Sequence, residues 1–145
     1  MTIMQHNDIK QYIASCPDLA VLDDASRAFL LWRGEEVHLE PGAILYSEGS
    51  TLDDTFCLLL SGELLIDIGG TVIGQVPENR LLGEMAYFIR QRARTATIRA
   101  GSLGALVLKI RLTGAELGAP RFTGLKKYLG TQAWDRFVSN SQRNV

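Results

Sequence analysis

The residues best suited to chemistry lie in one stretch, LLGEMAYFIRQRARTATIRA, at residues 81–100. Gly83 precedes a short run able to form a helix, and backbone N–H groups at a helix start favour an anion. Arg94 follows Glu84 by ten residues and offers a planar, permanently charged donor for phosphate oxygens. The hydroxyl of Thr95 adds another donor. The stretch therefore favours recognition of an anion.

Glu84 limits which anionic ligands this stretch can bind. A carboxylate repels a phosphate, so the pair is useful only for a ligand that carries both an anion and a free hydroxyl, with Arg94 offsetting the repulsion. A 3′,5′-cyclic nucleotide meets this description because only its 2′-hydroxyl is left on the ribose for Glu84. The alternative is a solvated ion pair worth about 0–1 kcal/mol, which the spacing of Glu84 and Arg94 does not exclude.

Short β-like runs punctuated by glycine surround this stretch, from about Glu35 to Ile110. They predict an antiparallel sandwich or barrel. Gly69-Gly70 predicts a two-residue hairpin turn between ELLIDI and TVIGQV. Alternation within ELLIDI places Glu63 and Asp67 on the outer face of its strand.

Helical patterns flank the β region. Before it, apolar residues recur at steps of three and four, which predicts two helices separated at Cys16-Pro17. Candidate N-caps of the second helix are Asp23, Asp24 and Ser26. After the β region, Gly118-Ala119-Pro120 precedes an apolar stripe that predicts a C-terminal amphipathic helix. The simplest role of this stripe is packing on the barrel.

Composition excludes several classes of protein. The chain has 145 residues, of which 46% are hydrophobic and 21% charged, and its net charge is −1. These values predict a single domain over residues 1–145 without the basic field of a nucleic-acid-binding protein. The longest mostly apolar, uncharged stretch, Ala100–Leu108, is too short to span a membrane. The N-terminus has no signal-peptide pattern, so we expect a cytoplasmic protein.

Cysteine and histidine usage gives no metal pattern. Cys16 and Cys57 are isolated, and in the cytoplasm we expect them to be reduced core thiols. His6 and His38 stand far apart without HxH or HExxH spacing. The sequence therefore predicts no metal site.

The segments LEPGAILYSEGSTLDD, FCLLLSGELLI, LLGEMAYF and RTATIRA, in this order, resemble the cyclic-nucleotide-binding domain family. This family includes bacterial cAMP regulators, kinase regulatory subunits and cyclic-nucleotide-gated channels. The resemblance covers about residues 38–110 and implies a mainly β fold, an antiparallel β-roll with a jelly-roll-like barrel. It implies N-terminal helices at 1–34, the β-roll at 35–111 and a C-terminal helical lid at 112–145. Residues 82–97 correspond to the phosphate-binding cassette, which contains a short helix.

The resemblance also implies roles for individual residues. Glu84 resembles the ribose ligand and Arg94 the phosphate ligand. The residues implied to form the cyclic-nucleotide site are Gly83, Glu84, Met85, Ala86, Arg94, Thr95 and Ala96. A threonine at the position of Thr95 can favour cGMP but also occurs in cAMP binders, so both ligands stay open. Candidates for a lid that stacks on the base are Phe122, Tyr128 and Trp134.

The function implied is that of a cyclic-nucleotide sensor without catalysis, with cAMP or cGMP as ligand and no other cofactor. The chain ends at Val145 without an output domain, so we expect a standalone module. Movement of its terminal helices would signal to a partner protein or a second copy of the chain. One alternative is a degenerate β-roll that serves as a ligand-free protein-interaction module. Another is a cupin-type enzyme, which usually presents an HxH pair, whereas only His38 lies in the β region.

Overall fold

The computed structural model describes residues 10–11, 13–51, 53–76, 80–82, 93–127 and 129–131. Six strands are formed by Gly34–Leu39 (β1), Ile44–Tyr46 (β2), Thr55–Ile68 (β3), Thr71–Val76 (β4), Leu81–Leu82 (β5) and Thr97–Arg111 (β6). Two α-helices span Asp24–Arg33 (α1) and Gly114–Leu117 (α2), and 3-10 turns span Pro17–Leu19 and Pro120–Phe122. Further helical residues lie at 10–11, 13–14, 123–127 and 129–131.

The strands form one antiparallel sheet in the order β1-β6-β3-β4, with β2 paired to β6 and β5 paired to β3. The predicted mainly β, antiparallel fold is therefore confirmed. Two long strands, β3 and β6, form its centre, and each joins two runs that the sequence presents as separate. Register shifts on both sides of Gly62 bend this central pair.

The hairpin predicted at Gly69-Gly70 is confirmed, with φ values of 61° and 86°. Ile68 pairs directly with Thr71. The sequence predicts that Asp67 faces outward, but its side chain is buried at the turn. Its Oδ1 accepts a hydrogen bond from Gly70 N at 2.9 Å. The register shift at this point places the extra residue on β4, so the alternation along β3 continues.

Alternate residues of β3 and β6 face two separate clusters of buried side chains. The first cluster lies between the sheet and the terminal helices and includes Leu58, Leu106 and Leu108. The second lies on the opposite face and includes Cys57, Leu59 and Val107. Burial of such a side chain contributes about 1.5–3 kcal/mol, so both faces stabilise the fold. We call them the helix-side cluster and the inner cluster.

The terminal segments pack on the helix-side cluster. α1 begins at the N-cap Asp23, whose Oδ1 accepts a hydrogen bond from Ser26 N at 2.7 Å, and it buries Leu30. From the C-terminal side Phe122, Leu125 and Leu129 are buried in the same cluster. The predicted packing of the C-terminal stripe is thus confirmed for these three residues. Across the part of the chain described here, no helix has the length and apolar character that membrane crossing requires.

The two cysteines lie in different clusters. Cys16 belongs to the helix-side cluster and Cys57 to the inner cluster, and both are buried thiols outside any disulfide. The prediction of core thiols is confirmed.

Candidate functional site

Arg94 lies just before β6, where its backbone is fixed by a turn. Its N–H donates to Ser50 O at 2.9 Å, and Gly49 N donates to its carbonyl at 2.8 Å. Gly49 has a φ of 81°, a conformation that glycine adopts without strain. This anchoring directs the long side chain into the protein, and Arg94 is only 6% exposed.

The guanidinium of Arg94 has partners on two sides. Nη2 donates to Asp53 Oδ1 at 2.6 Å, to the carbonyl of Thr55 at 3.0 Å and to Thr55 Oγ1 at 3.3 Å. Its Cζ lies 3.7 Å from the centroid of the Tyr46 ring. A buried guanidinium is costly to desolvate, and these contacts supply the charge and polar partners that offset the cost.

Positive charge exceeds negative charge in this cluster. Lys109 Nζ lies 3.5 Å from Asp53 Oδ2, and Arg111 Nη1 donates to the carbonyl of Asp53 at 3.1 Å. Among the described residues, the cationic side chains of Arg94 and Lys109 contact the Asp53 carboxylate, and that of Arg111 reaches the backbone carbonyl of Asp53. This local excess of positive charge favours an anionic ligand.

Asp53 is held in its charged form. Burial alone raises the pKa of this carboxyl group, but hydrogen bonds from Thr55 and Arg94 and the charges of Arg94 and Lys109 outweigh that effect. The resulting pKa is about 2. At neutral pH the carboxylate therefore remains an acceptor for Arg94.

A chain of hydrogen bonds connects the inner cluster to Asp53. Thr55 Oγ1 donates to Asp53 Oδ1 at 2.6 Å, and the Tyr46 hydroxyl lies 2.9 Å from Thr55 Oγ1 and 3.1 Å from Cys57 Sγ. Since Thr55 has one hydroxyl proton, Tyr46 must donate to Thr55 and the Cys57 thiol must donate to Tyr46. Burial raises the pKa of Tyr46 and raises that of Cys57 to about 11. Both groups are therefore protonated at neutral pH, and Cys57 is a poor nucleophile.

The site residues predicted from the sequence are partly described. Arg94, Thr95 and Ala96 lie together, and Thr95 and Ala96 are half-buried in the bend before β6. The remaining predicted binding residues, Gly83, Glu84, Met85 and Ala86, lie outside the described residues.

Both flanks of that segment are fixed near Arg94. Leu82 pairs with Cys57, and Ala93 pairs with Thr51. Leu82 and Ala93, the described residues on either side of 83–92, are therefore both paired with the segment that carries Asp53 and Thr55.

The predicted lid residues do not form a group in the described structure. Phe122 is 1% exposed in the helix-side cluster, where its ring centroid lies 5.9 Å from that of Phe29. In this conformation Phe122 has no free face for a base. Tyr128 and Trp134 lie outside the described residues.

Among the cluster residues missing from the sequence-based site are Tyr46, Asp53 and Lys109. They come from β2, the loop before β3, and β6, so only the strand register brings them together. One signal in the sequence pointed to Lys109, which lies inside the apolar run LVLKI. A lysine with buried neighbours requires a charged or hydrogen-bonding partner. Among the described residues no group of three or more His, Cys, Asp or Glu side chains is placed to hold a metal ion.

Comparison with protein families identifies a cyclic nucleotide-binding domain. The model described as "Cyclic nucleotide-binding domain" matches residues 36–113, more than half of the chain. Comparison with curated protein sequences finds no significant match.

Solved structures share the fold at low sequence identity. The regulatory domain of Toxoplasma gondii PKA with cAMP aligns with a TM-score of 0.74 and 16% identity over 90% of this chain and 50% of that one. The cAMP-bound PfPKA-R structure aligns with a TM-score of 0.69 and 21% identity over 95% of this chain and 45% of that one. The sensor domain of the transcriptional regulator DNR from Pseudomonas aeruginosa aligns with a TM-score of 0.64 and 17% identity over 91% of each chain. This chain thus spans half or less of the Toxoplasma gondii PKA and PfPKA-R structures.

Proposed function

The chain belongs to the cyclic nucleotide-binding domain family, and we propose that it binds cAMP or cGMP at Arg94 and acts as a regulatory module without catalytic activity. The observation that carries this proposal is the buried guanidinium of Arg94 in a cluster with excess positive charge. A phosphodiester supplies one negative charge to such a cluster. The guanidinium then gains a charge-assisted hydrogen bond in a poorly solvated place.

We assign the ligand contacts as follows. Arg94 binds the cyclic phosphate, Glu84 accepts a hydrogen bond from the ribose 2′-hydroxyl, and Thr95 adds a hydroxyl donor. The nearby backbone and walls are contributed by Gly83, Met85, Ala86 and Ala96. The pairing of Leu82 with Cys57 and of Ala93 with Thr51 supports this assignment, because it holds two positions of the cassette next to the strand residues that contact Arg94.

We further propose that ligand binding moves the terminal helices and so changes the affinity for a partner protein or a second copy of the chain. A contact between α1 and α2 supports this proposal, because a change in their relative position would alter it. Arg33 of α1 forms a bidentate pair with Glu116 of α2, with N–O distances of 2.6 and 3.2 Å. Two buried thiols outside any disulfide, Cys16 and Cys57, support placement in a reducing compartment such as the cytoplasm.

A second candidate function is a ligand-free protein-interaction module. It is favoured by the pairing of Arg94 with Asp53 and Thr55, which supplies partners to its guanidinium without a ligand. In that case the cluster is a structural ion pair.

Calorimetric titration with cAMP and with cGMP separates the two functions. We expect micromolar or tighter binding of at least one nucleotide, and Arg94→Ala should weaken it by about 2–5 kcal/mol because a buried phosphate loses its charged partner. The matched control is Arg99→Ala, since Arg99 lies near Asp67 (3.8 Å) rather than in the Arg94 cluster. Folded protein freed of nucleotide that gives no heat and no thermal stabilisation with either ligand would favour the interaction module.

A further inference from the structure

The ring of Tyr46 lies directly against the guanidinium of Arg94, 3.7 Å from ring centroid to Cζ. Tyr46 is 5% exposed and ends the three-residue strand β2. Its backbone pairs with Ile98 of β6, and its hydroxyl is bonded to Thr55 and Cys57 of β3. The ring is therefore fixed at both ends by two different strands.

A fixed aromatic face restricts how the guanidinium can turn. The face of the ring carries negative electrostatic potential, which attracts the cation and compensates part of its lost hydration. The N–H groups of a guanidinium point outward in its own plane, so a fixed plane gives a directed hydrogen bond to an oxygen. Asp53 and Thr55 fix one edge of the same guanidinium.

We propose that Tyr46 is a positioning residue for anion recognition: it sets the plane of the Arg94 guanidinium before the ligand arrives, without touching the ligand. This inference rests on the proposed function. The three residues that support the ring and the guanidinium, namely Asp53, Thr55 and Cys57, all precede or belong to β3. The pairing of the strands fixes the Tyr46 ring, and the ring in turn sets the direction in which Arg94 can donate to the phosphate.

The test uses the two phosphorothioate diastereomers of the nucleotide that binds. Sulfur replaces one or the other exocyclic oxygen, and a fixed guanidinium distinguishes them because sulfur is the weaker acceptor. We expect wild-type protein to prefer one diastereomer by about tenfold or more, the size of a charged hydrogen bond. Tyr46→Leu should lower this ratio by about fivefold or more, since the stack is lost.

Two substitutions of Tyr46 separate the effect of its ring from that of its hydroxyl group. Tyr46→Phe keeps the ring but loses both hydroxyl contacts, so its ratio should lie between those of wild type and Tyr46→Leu. Should Tyr46→Leu not fold, Tyr46→Met replaces it, because a flexible side chain fills irregular gaps. The matched control is Phe56→Leu, which makes a similar cavity at a fully buried residue of β3 in the helix-side cluster. It should lower thermal stability and leave the ratio unchanged.

The outcomes separate the two proposals. A wild-type chain that binds neither nucleotide overturns the proposed function and this inference together. A wild-type chain that binds, with Tyr46→Leu weakening both diastereomers equally, shows that Tyr46 has a purely structural role and overturns this inference alone.

Discussion

Asp53 is the residue through which the cluster around Arg94 responds to acid. Its folded-state pKa of about 2 lies below the ordinary value of 3.8. A lowered pKa means that the group stabilises the fold fully above its ordinary pKa and loses that contribution as pH falls through the folded value. We expect the free energy of unfolding of wild-type protein to decrease from about pH 4 to about pH 2. Asp53→Asn should flatten this decrease, as measured by chemical denaturation at a series of pH values.

Asp54→Asn is the matched control for that experiment. It makes the same chemical change one residue away, and the φ of 56° at Asp54 is tolerated by asparagine. This variant should keep the wild-type pH dependence. An identical slope for Asp53→Asn and wild type would contradict the ion pairing described for Asp53.

At the residue scale the sequence predicts ligands that are close together in the chain. Arg94, Thr95 and Ala96 form a contiguous motif, so no knowledge of the register is needed to group them. Tyr46 and Lys109 cannot be found in this way, because their contact depends on which residues of β2, β3 and β6 face the same side of the sheet. The role of Phe122 could not be predicted from the sequence, because an aromatic residue at helical spacing can equally pack in a core or stack on a base as part of a lid.

At the scale of the strand, Gly62 is required where the backbone of β3 passes close to that of β6. Its φ is 90°, and a Cβ atom added to it would lie against the carbonyl oxygen of Gly104 and 2.8 Å from Ala105 Cα. Both obstacles are backbone atoms, which cannot rotate away. The glycine therefore permits the register shift that bends the central pair of strands.

Gly62→Ala should consequently destabilise the fold strongly. Gly69→Ala is the matched control, since Gly69 has a φ of 61° but no heavy atom within 4 Å of an added Cβ. That control measures the conformational cost alone, about 1–2 kcal/mol. We expect Gly62→Ala to lose at least about 2 kcal/mol more in chemical denaturation, because a backbone clash is added. Equal losses for the two variants would show that β6 moves aside without cost.

The same glycine explains how the sequence divides the strands. A glycine inside an apolar run commonly marks the end of a strand, so FCLLLSG and ELLIDI look like two elements, and RTATIRA and GALVLKI look like two more. The structure continues both strands through Gly62 and Gly104, because each glycine faces a neighbouring backbone with positive φ. Gly69-Gly70, in contrast, was predictable since two adjacent glycines between alternating runs specify a tight hairpin.

For the whole molecule, the proposed transmission of ligand binding depends on the contact between α1 and the segment after β6. Arg33 of α1 reaches Glu116 of α2, and Phe29 of α1 packs against Phe122. Glu116 also closes a capping box with Thr113, whose N–H donates to Glu116 Oε1 at 3.0 Å. A movement of the terminal helices relative to each other must break the Arg33 pair, whereas a movement as one unit leaves it intact.

We expect ligand binding to separate α1 from α2, and in that case the pair between Arg33 and Glu116 opposes binding. Glu116→Gln removes the charge and retains a capping acceptor, and Arg33→Met removes the other partner. Each variant should raise the affinity for cyclic nucleotide by about two- to fivefold, since a half-exposed pair contributes at most about 1 kcal/mol to the unbound arrangement. Arg27→Met is the control on the same helix, because Arg27 pairs with Asp24 within α1. Calorimetry that finds one affinity for all four proteins would show that α1 and α2 keep their contact and move together.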